Sequence, residues 1–331
     1  MDLSYVGGLG RHIFNNLTTN PFLPNATNTA TGTRLNPAFG PRTIRASGAT
    51  SNYHAMQLEV RNHLLQTMVG GIEFRSAYTW SRNMDETSEV FVTNNQNSSN
   101  PAVNPYRFPG GLRADYGPSD NDRRHVWQST AVWQVRGPKS GILGQAFGGW
   151  TLATIIPVSS GQPYTVINGT DRDLDGSLAG DRPDVGNWNA PFNSRAKIST
   201  TCSTGLINPD SGACVTRSDV RWVQVAAYNP NSPNTGRRNS LYTPGSVNMH
   251  LNILKNFKIT ERIGLEYRAE IFNVLNHQNF NFAPFLSGGA STVIVRDAAK
   301  GNFLNFSNGD SSETNAALTQ RNMRMGLKVS F

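Results

Sequence analysis

Nowhere does this chain carry an unbroken apolar run of the roughly 18 to 20 residues that a membrane-spanning helix requires. The greasiest stretch, Trp150 to Val158, is short and contains Pro157, so a helical membrane protein is excluded. The opening Met1-Asp2-Leu3-Ser4-Tyr5 lacks a basic segment, an apolar segment and a small-residue cleavage site, so no signal peptide is expected in this chain. Cysteine is scarce. Cys202 and Cys214 are the only two, in a loop rich in Ser, Thr, Asn and Gly. Such a pair can close a small disulfide loop in an oxidising compartment, and two free thiols are the other reading. Basic runs are also missing: the formal charge is +8, but Lys and Arg are scattered along the chain. The continuous basic stripe of a nucleic-acid binder is therefore absent, and no nucleic-acid partner is expected.

Catalytic signatures are missing too. There is no G-x-S-x-G elbow, Walker loop or dinucleotide fingerprint, and the six His are isolated, without metal-ligand spacing. Gly7-Gly8-Leu9-Gly10 is too short for a phosphate cradle. No enzyme and no catalytic residue are expected. One segment suggests a cation. Asp171, Asp173 and Asp175, followed by Gly176, open like a calcium loop, but the twelfth position is Arg182 where a bidentate Glu is needed, leaving Asp181 as a substitute ligand. A plain Asp/Gly turn is the other reading; no cofactor besides calcium is expected.

What the sequence does have is period-two alternation, and the fold it predicts is all-β. At the C-terminus Met323, Met325, Leu327, Val329 and Phe331 alternate with Asn322, Arg324, Gly326, Lys328 and Ser330. Val247 to Ile259 alternates likewise, with Lys255 the exception, and Ile263 to Ile271 sets apolar residues against Glu266, Arg268 and Glu270. Met56 to Leu64 and Ile72 to Trp80 form a predicted hairpin turning near Gln66 to Met68. In the register that charge suggests, Glu59 faces Arg75, Arg61 faces Glu73, and Val60 faces Phe74. Trp127 to Val135 is a further strand, Trp150 to Ile167 a weaker one because of Pro157, and Leu3 to Phe14 the faintest. The template gives about eight strands.

Connection lengths turn this pattern into an architecture. Tight turns near 66 and 261 and a medium link at 137–148 alternate with long segments at 15–49, 83–120, 168–244 and 278–319. Loops of that length count against a compact soluble domain. Outer-membrane barrels have short periplasmic turns and long extracellular loops, and their alternating strands give a mean hydropathy as low as the −0.43 found here. The expectation is an antiparallel up-and-down transmembrane β-barrel segment in a bacterial outer membrane, facing lipid with its apolar side. Its long loops read as solvated turns and not as a second packed domain. Glu59, Arg61, Glu73, Arg75, Glu266, Arg268, Glu270, Arg324 and Lys328 would face the lumen, while Tyr78, Trp80, Trp127, Trp133, Trp150 and Phe331 would form aromatic girdles.

Several phrases resemble a known family. The ending Met323-Arg324-Met325-Gly326-Leu327-Lys328-Val329-Ser330-Phe331 is similar to the sorting signal by which barrels engage the assembly machinery. Tyr5 to His12, Asp115-Tyr116-Gly117-Pro118-Ser119-Asp120-Asn121-Asp122-Arg123-Arg124-His125, Gly161-Gln162-Pro163-Tyr164, Gly180-Asp181-Arg182-Pro183, Leu254 to Phe257 and Glu270 to His277 resemble the C-terminal barrel region of Oar-like TonB-dependent receptors, which carry a carboxypeptidase-regulatory-like domain. The resemblance implies transport of a ligand by a longer parent. The energy-coupling complex would be met only through a plug domain, which is missing from this chain. The alternatives are a self-contained small barrel with a structural or adhesion role, and a soluble β-sandwich.

Overall fold

The computed structural model describes residues 1–20, 22–24, 30–40, 42–88, 113, 115–138, 141–166, 168, 182–225, 236–260, 262–279 and 320–331. Eight long strands carry the fold: β1 (Asp2–Thr18), β2 (Thr43–Thr67), β3 (Gly70–Asp85), β4 (His125–Val135), β5 (Trp150–Ser159), β6 (His250–Lys258), β7 (Gly264–Phe272) and β8 (Asn322–Ser330). One short helix, α1 (Gly141–Phe147), lies between β4 and β5. The strands lie side by side in chain order in one sheet, every neighbouring pair antiparallel. β1 and β8 are its two edges among the described residues.

Residues directly opposite one another in a ladder share a face, so the pairings carry a face across the whole sheet. Arg61, Arg75, Thr130, Ile155 and His250 are successive partners, and Asn252, two residues on from His250, continues to Glu270 and Arg324. All nine charges expected on a polar side therefore share one face. The other face runs from Leu3 through Leu58, Tyr78 and Trp127 to Val158, and from Ile72 through Trp133, Leu152, Ile253 and Ala269 to Met325.

Lys255 falls on that apolar face, opposite Trp150 and Tyr267. It is almost completely buried, and its ammonium sits 5.1 Å from the ring centroids of both Trp150 and Phe257. The ammonium donates to the carbonyls of Ala146 and Gly148, at and just beyond the end of α1. Carbonyls without helical partners at a helix C-terminus suit a cation, and this accounts for the break in the alternation.

Four expectations are corrected. In the β2–β3 hairpin Glu59 faces Ala77, Arg61 faces Arg75 and Val60 faces Ser76, two residues away from the charge-matched register. The cause is the turn. It is made by Met68 and Val69, and Gly70 closes it at φ +126°, where a Cβ would lie 2.0 Å from the Gln134 carbonyl oxygen. A bulge between Asn62 and Leu65 absorbs the mismatch. The strands also run farther than the alternation suggested, β1 to Thr18 and β3 to Asp85, with β2 starting at Thr43. Backbone pairing continues there over polar residues whose side chains carry no period. The fifth strand stops at Ser159, with Pro157 kept opposite Gln128, and α1 occupies the medium link. Finally, the 168–244 segment is not all solvated turns, because a small four-stranded sheet is packed within it.

Candidate functional site: a buried polar knot at the loop end of the sheet

Short connections gather at one end of the sheet and long ones at the other; the Asp115–His125, Gly161–Tyr164 and Arg182–Pro183 phrases converge at the long-loop end, whereas Leu254–Phe257 and the C-terminal ending lie near the short connections. Arg238 is the centre. Its guanidinium donates from Nη1 to the carbonyls of Asp85 (2.8 Å) and Asp115 (3.1 Å), and from Nη2 to Asp85 Oδ1 (2.7 Å) and Ser88 Oγ (2.7 Å). Arg238 is 1% exposed and Asp85 5%. A second buried ion pair joins Arg182 to Asp115. Asn239, held at φ +52°, donates from Nδ2 to Asp120 Oδ1 (2.7 Å) and the Pro118 carbonyl (2.8 Å), and its own N–H donates to Thr165 Oγ1 (2.7 Å). Asp122 accepts from the Asn83 N–H (2.7 Å) and the Tyr242 hydroxyl (3.1 Å).

The same network ties in the Gly161–Tyr164 phrase. Pro163–Tyr164 pairs with Leu241–Tyr242, and Arg123 donates from Nη2 to Gln162 Oε1 (3.0 Å). A Cβ on Gly161 would lie 1.7 Å from the Thr243 carbonyl oxygen, so the two chains approach this closely only with glycine there. Burial pushes the Arg123 guanidinium below its usual range and the Tyr164 phenol above its own. Apart from the Nε groups of Arg182 and Arg238, the donors named here find acceptors within the protein, which suits a clamp on segments arriving from five parts of the chain. Asp115, Asp120, Asp122, Arg123, Gln162 and Arg182 lay in those phrases, whereas Asp85, Ser88, Arg238 and Asn239 lay in none of them, and which segment bonds to which was not readable.

Next to the knot, the 182–225 segment forms a module of its own. Asp184–Val185, Trp222–Val223, Arg195–Ile198 and Leu206–Ile207 make a four-stranded sheet over a core of Ala196, Leu206, Val220 and Val223. Arg195 is ion-paired with Asp210, and Arg217 with Asp184 at 2.7 Å. Trp222 is buried edge-on to Trp188 at 5.8 Å between centroids. Cys202 and Cys214 are joined in a disulfide twelve residues apart in sequence, matching the closed-loop reading. Replacing both by serine is expected to loosen this module by about 2–3 kcal/mol, the loop-closure entropy of so short a ring. Limited proteolysis should then cut within 199–216 while the long strands stay protected; an unchanged digest would show that the small core holds the module alone.

The expected lumen charges group as the register dictates. Arg75 reaches diagonally to Glu59 with two bonds, of 3.0 and 2.9 Å. Arg268 pairs with Glu266 at 3.1 Å and lies 3.9 Å from Glu270. Arg324 and Lys328 stand opposite Glu270 and Glu266, while Glu73 faces Val132 and Arg61 faces Arg75. Met323, Met325, Leu327, Val329 and Phe331 of the C-terminal strand are all exposed, at 52% or more. The candidate calcium ligands Asp171, Asp173, Asp175 and Asp181 lie outside the described residues. Among the described residues no cluster of three or more His, Cys, Asp or Glu is placed to hold a metal ion.

A cavity of about 690 Å³ opens beside the knot, lined by Arg11, Thr50, Asn52, Glu86, Arg113, Tyr116 and Arg237. Thr50 and Asn52 alternate with Ser51 and Tyr53, so they lie on the apolar face of the sheet, in line with Met56 and Leu58.

Comparison with known proteins gives one extensive match. The model of a family described as "Outer membrane beta barrel domain" matches residues 1–315. Among solved structures the chain is similar to the outer membrane transporter YddB from Escherichia coli, with 11% identity, a TM-score of 0.37, and coverage of 84% of this chain and 26% of that one. The chain thus spans about a quarter of the length of that transporter. No curated protein matches the sequence.

Proposed function

Since this chain belongs to the outer membrane beta barrel domain family, and is therefore an antiparallel β-barrel protein of the outer membrane, we propose that it forms an arc of an Oar-like, TonB-dependent receptor barrel that takes up an extracellular ligand. The reading is carried by the two edges of the sheet. β1 offers 17 residues and β8 nine, and neither has an outer neighbour among the described residues. Unpaired backbone groups are too costly to leave in lipid, so both edges call for further strands. The charged face then belongs to the lumen of a wide barrel, and the face of Leu3, Trp127 and Met325 to lipid. The clamped loops and the disulfide module meet the ligand outside, the C-terminal strand with Phe331 engages the assembly machinery, and a plug elsewhere in the protein would contact the energy-coupling complex.

The reading frame upstream of the Met1 codon tests this. A continuous frame encoding a plug and further alternating strands is expected. A stop codon just upstream, or a signal peptide joined directly to Leu3, would overturn the receptor reading and leave a small closed barrel.

A further inference from the structure

We propose that the basic cavity of Arg11, Arg113 and Arg237 binds the phosphate groups of an outer-leaflet glycolipid. The inference rests on the outer-membrane barrel family and on the lipid-facing assignment of the apolar face, and not on a transport role.

Position is the first argument. A tilted strand crosses the hydrocarbon in about 9 to 11 residues, which from the Met68–Val69 turn reaches the level of Met56 to Leu58 on β2. The rows Leu58–Tyr78 and Met56–Trp80 are the last large apolar pairs on the outward face, and the next outward pair is His54 with Arg82. Beyond it come Asn52 with Met84 and then the Thr50–Glu86 level, where the cavity opens. At about 3.3 Å per residue and a tilt near 45°, the cavity sits on the order of 10–15 Å above the hydrocarbon edge. That is the height of a sugar headgroup, farther out than the phosphate of a glycerophospholipid.

Charge is the second argument. The cavity sets three exposed guanidinium groups against one carboxylate, and that carboxylate is already engaged: Glu86 is buried, and its Oε2 accepts from the Thr50 N–H at 2.8 Å. The Tyr116 hydroxyl accepts from Asn52 Nδ2 at 2.8 Å, which leaves its own proton directed elsewhere. Among the described residues no ion pair engages Arg11, Arg113, Arg237 or the exposed Arg82 below them. Guanidinium groups are the side chains best shaped for two-pronged binding of phosphate oxygens. A surface continuous with the lipid belt, at headgroup height, and carrying this excess of unneutralised arginine fits a phosphorylated sugar.

The test uses the protein isolated from outer membranes, as wild type and as the triple variant R11Q/R113Q/R237Q, with R136Q at the opposite end of the sheet as control. Each is titrated with a bis-phosphorylated lipid A, its dephosphorylated form, phosphatidylglycerol and inorganic phosphate, and bound lipid is counted by native mass spectrometry. Wild type and R136Q are expected to hold the phosphorylated glycolipid at least tenfold more tightly than the triple variant, and tenfold more tightly than the dephosphorylated form. The proposal is overturned if the triple variant binds as wild type does, or if the dephosphorylated form binds equally. It is overturned also if phosphatidylglycerol or inorganic phosphate competes at equal concentration. Retention of the heat-modifiable folded band by the triple variant separates loss of the site from loss of the fold.

Discussion

Replacing Arg238 by alanine is expected to destabilise the loop assembly by about 3–5 kcal/mol, the range for breaking a buried ion pair by removing one partner. The cost comes from what is left behind. The Asp85 carboxylate is left without its guanidinium partner in a site only 5% exposed, while the carbonyls of Asp85 and Asp115 also lose the donor they share. Lysine at this position keeps a charge but cannot address Asp85, Ser88 and Asp115 together, because its donors radiate from one atom where the guanidinium spreads them over a plane. R238K should therefore fall between wild type and R238A. Since the knot sits beyond the crossing strands, the barrel should still assemble, and the loss should appear as new protease cleavage in 115–124 and 236–243 on intact cells. A wild-type digestion pattern from R238A would mean that the loops are held elsewhere.

The crossing strands were legible in the sequence because burial on one side writes itself as alternation, and nothing else in a chain alternates over nine residues. The β7–β8 pair puts Glu270 opposite Arg324 and Glu266 opposite Lys328, and the β6–β7 pair puts Asn252 and Asn256 opposite the same two glutamates, so the polar residues read from the sequence share a face. The β2–β3 register was not legible, because charge matching is a weak guide: Glu59 and Arg75 meet as easily on the diagonal as face to face, and a solvent-screened pair like this contributes little to stability. Turn geometry decided the register, through a Met68–Val69 turn with none of the usual turn residues at its two central positions.

The loop end was harder to read for a different reason. Strands of two residues, such as Asp184–Val185 and Trp222–Val223, are too short to show any period, so the small module looked like solvated coil. The knot joins residues as far apart as Asp85 and Arg238, 153 positions in sequence. A single sequence shows that Asp120, Asp122, Arg182 and Arg238 are present, but nothing in their spacing pairs Arg182 with Asp115 and not with Asp122. Lys255 is the instructive exception, because it was visible as a break in the pattern, and its partners are backbone carbonyls that no side-chain pattern can announce.

Arginine placed at Phe74 should cost about 2–4 kcal/mol, whereas arginine at Ala77, three residues along the same strand, should change stability by less than about 0.5 kcal/mol. Phe74 belongs to the apolar face, between Ile72 and Trp80 along β3, where a charge would have to reside in hydrocarbon. Ala77 looks the other way, directly opposite Glu59, and borders a cavity of about 190 Å³ with Arg75, Gln128 and Thr130, so a new guanidinium finds both room and a carboxylate. A third variant supplies depth. Met84 shares the face of Phe74 but lies beyond the crossing, and arginine there should cost no more than about 1 kcal/mol, since the penalty falls away toward the interface. Urea titration of the protein refolded into bilayers would read all three. A packed protein core would penalise Phe74 and Met84 according to their burial alone, whereas a bilayer penalises them by height. A larger cost at Ala77 than at Phe74 would instead put lipid and lumen on the opposite sides of the sheet, and equal costs would overturn the assignment of one face to lipid.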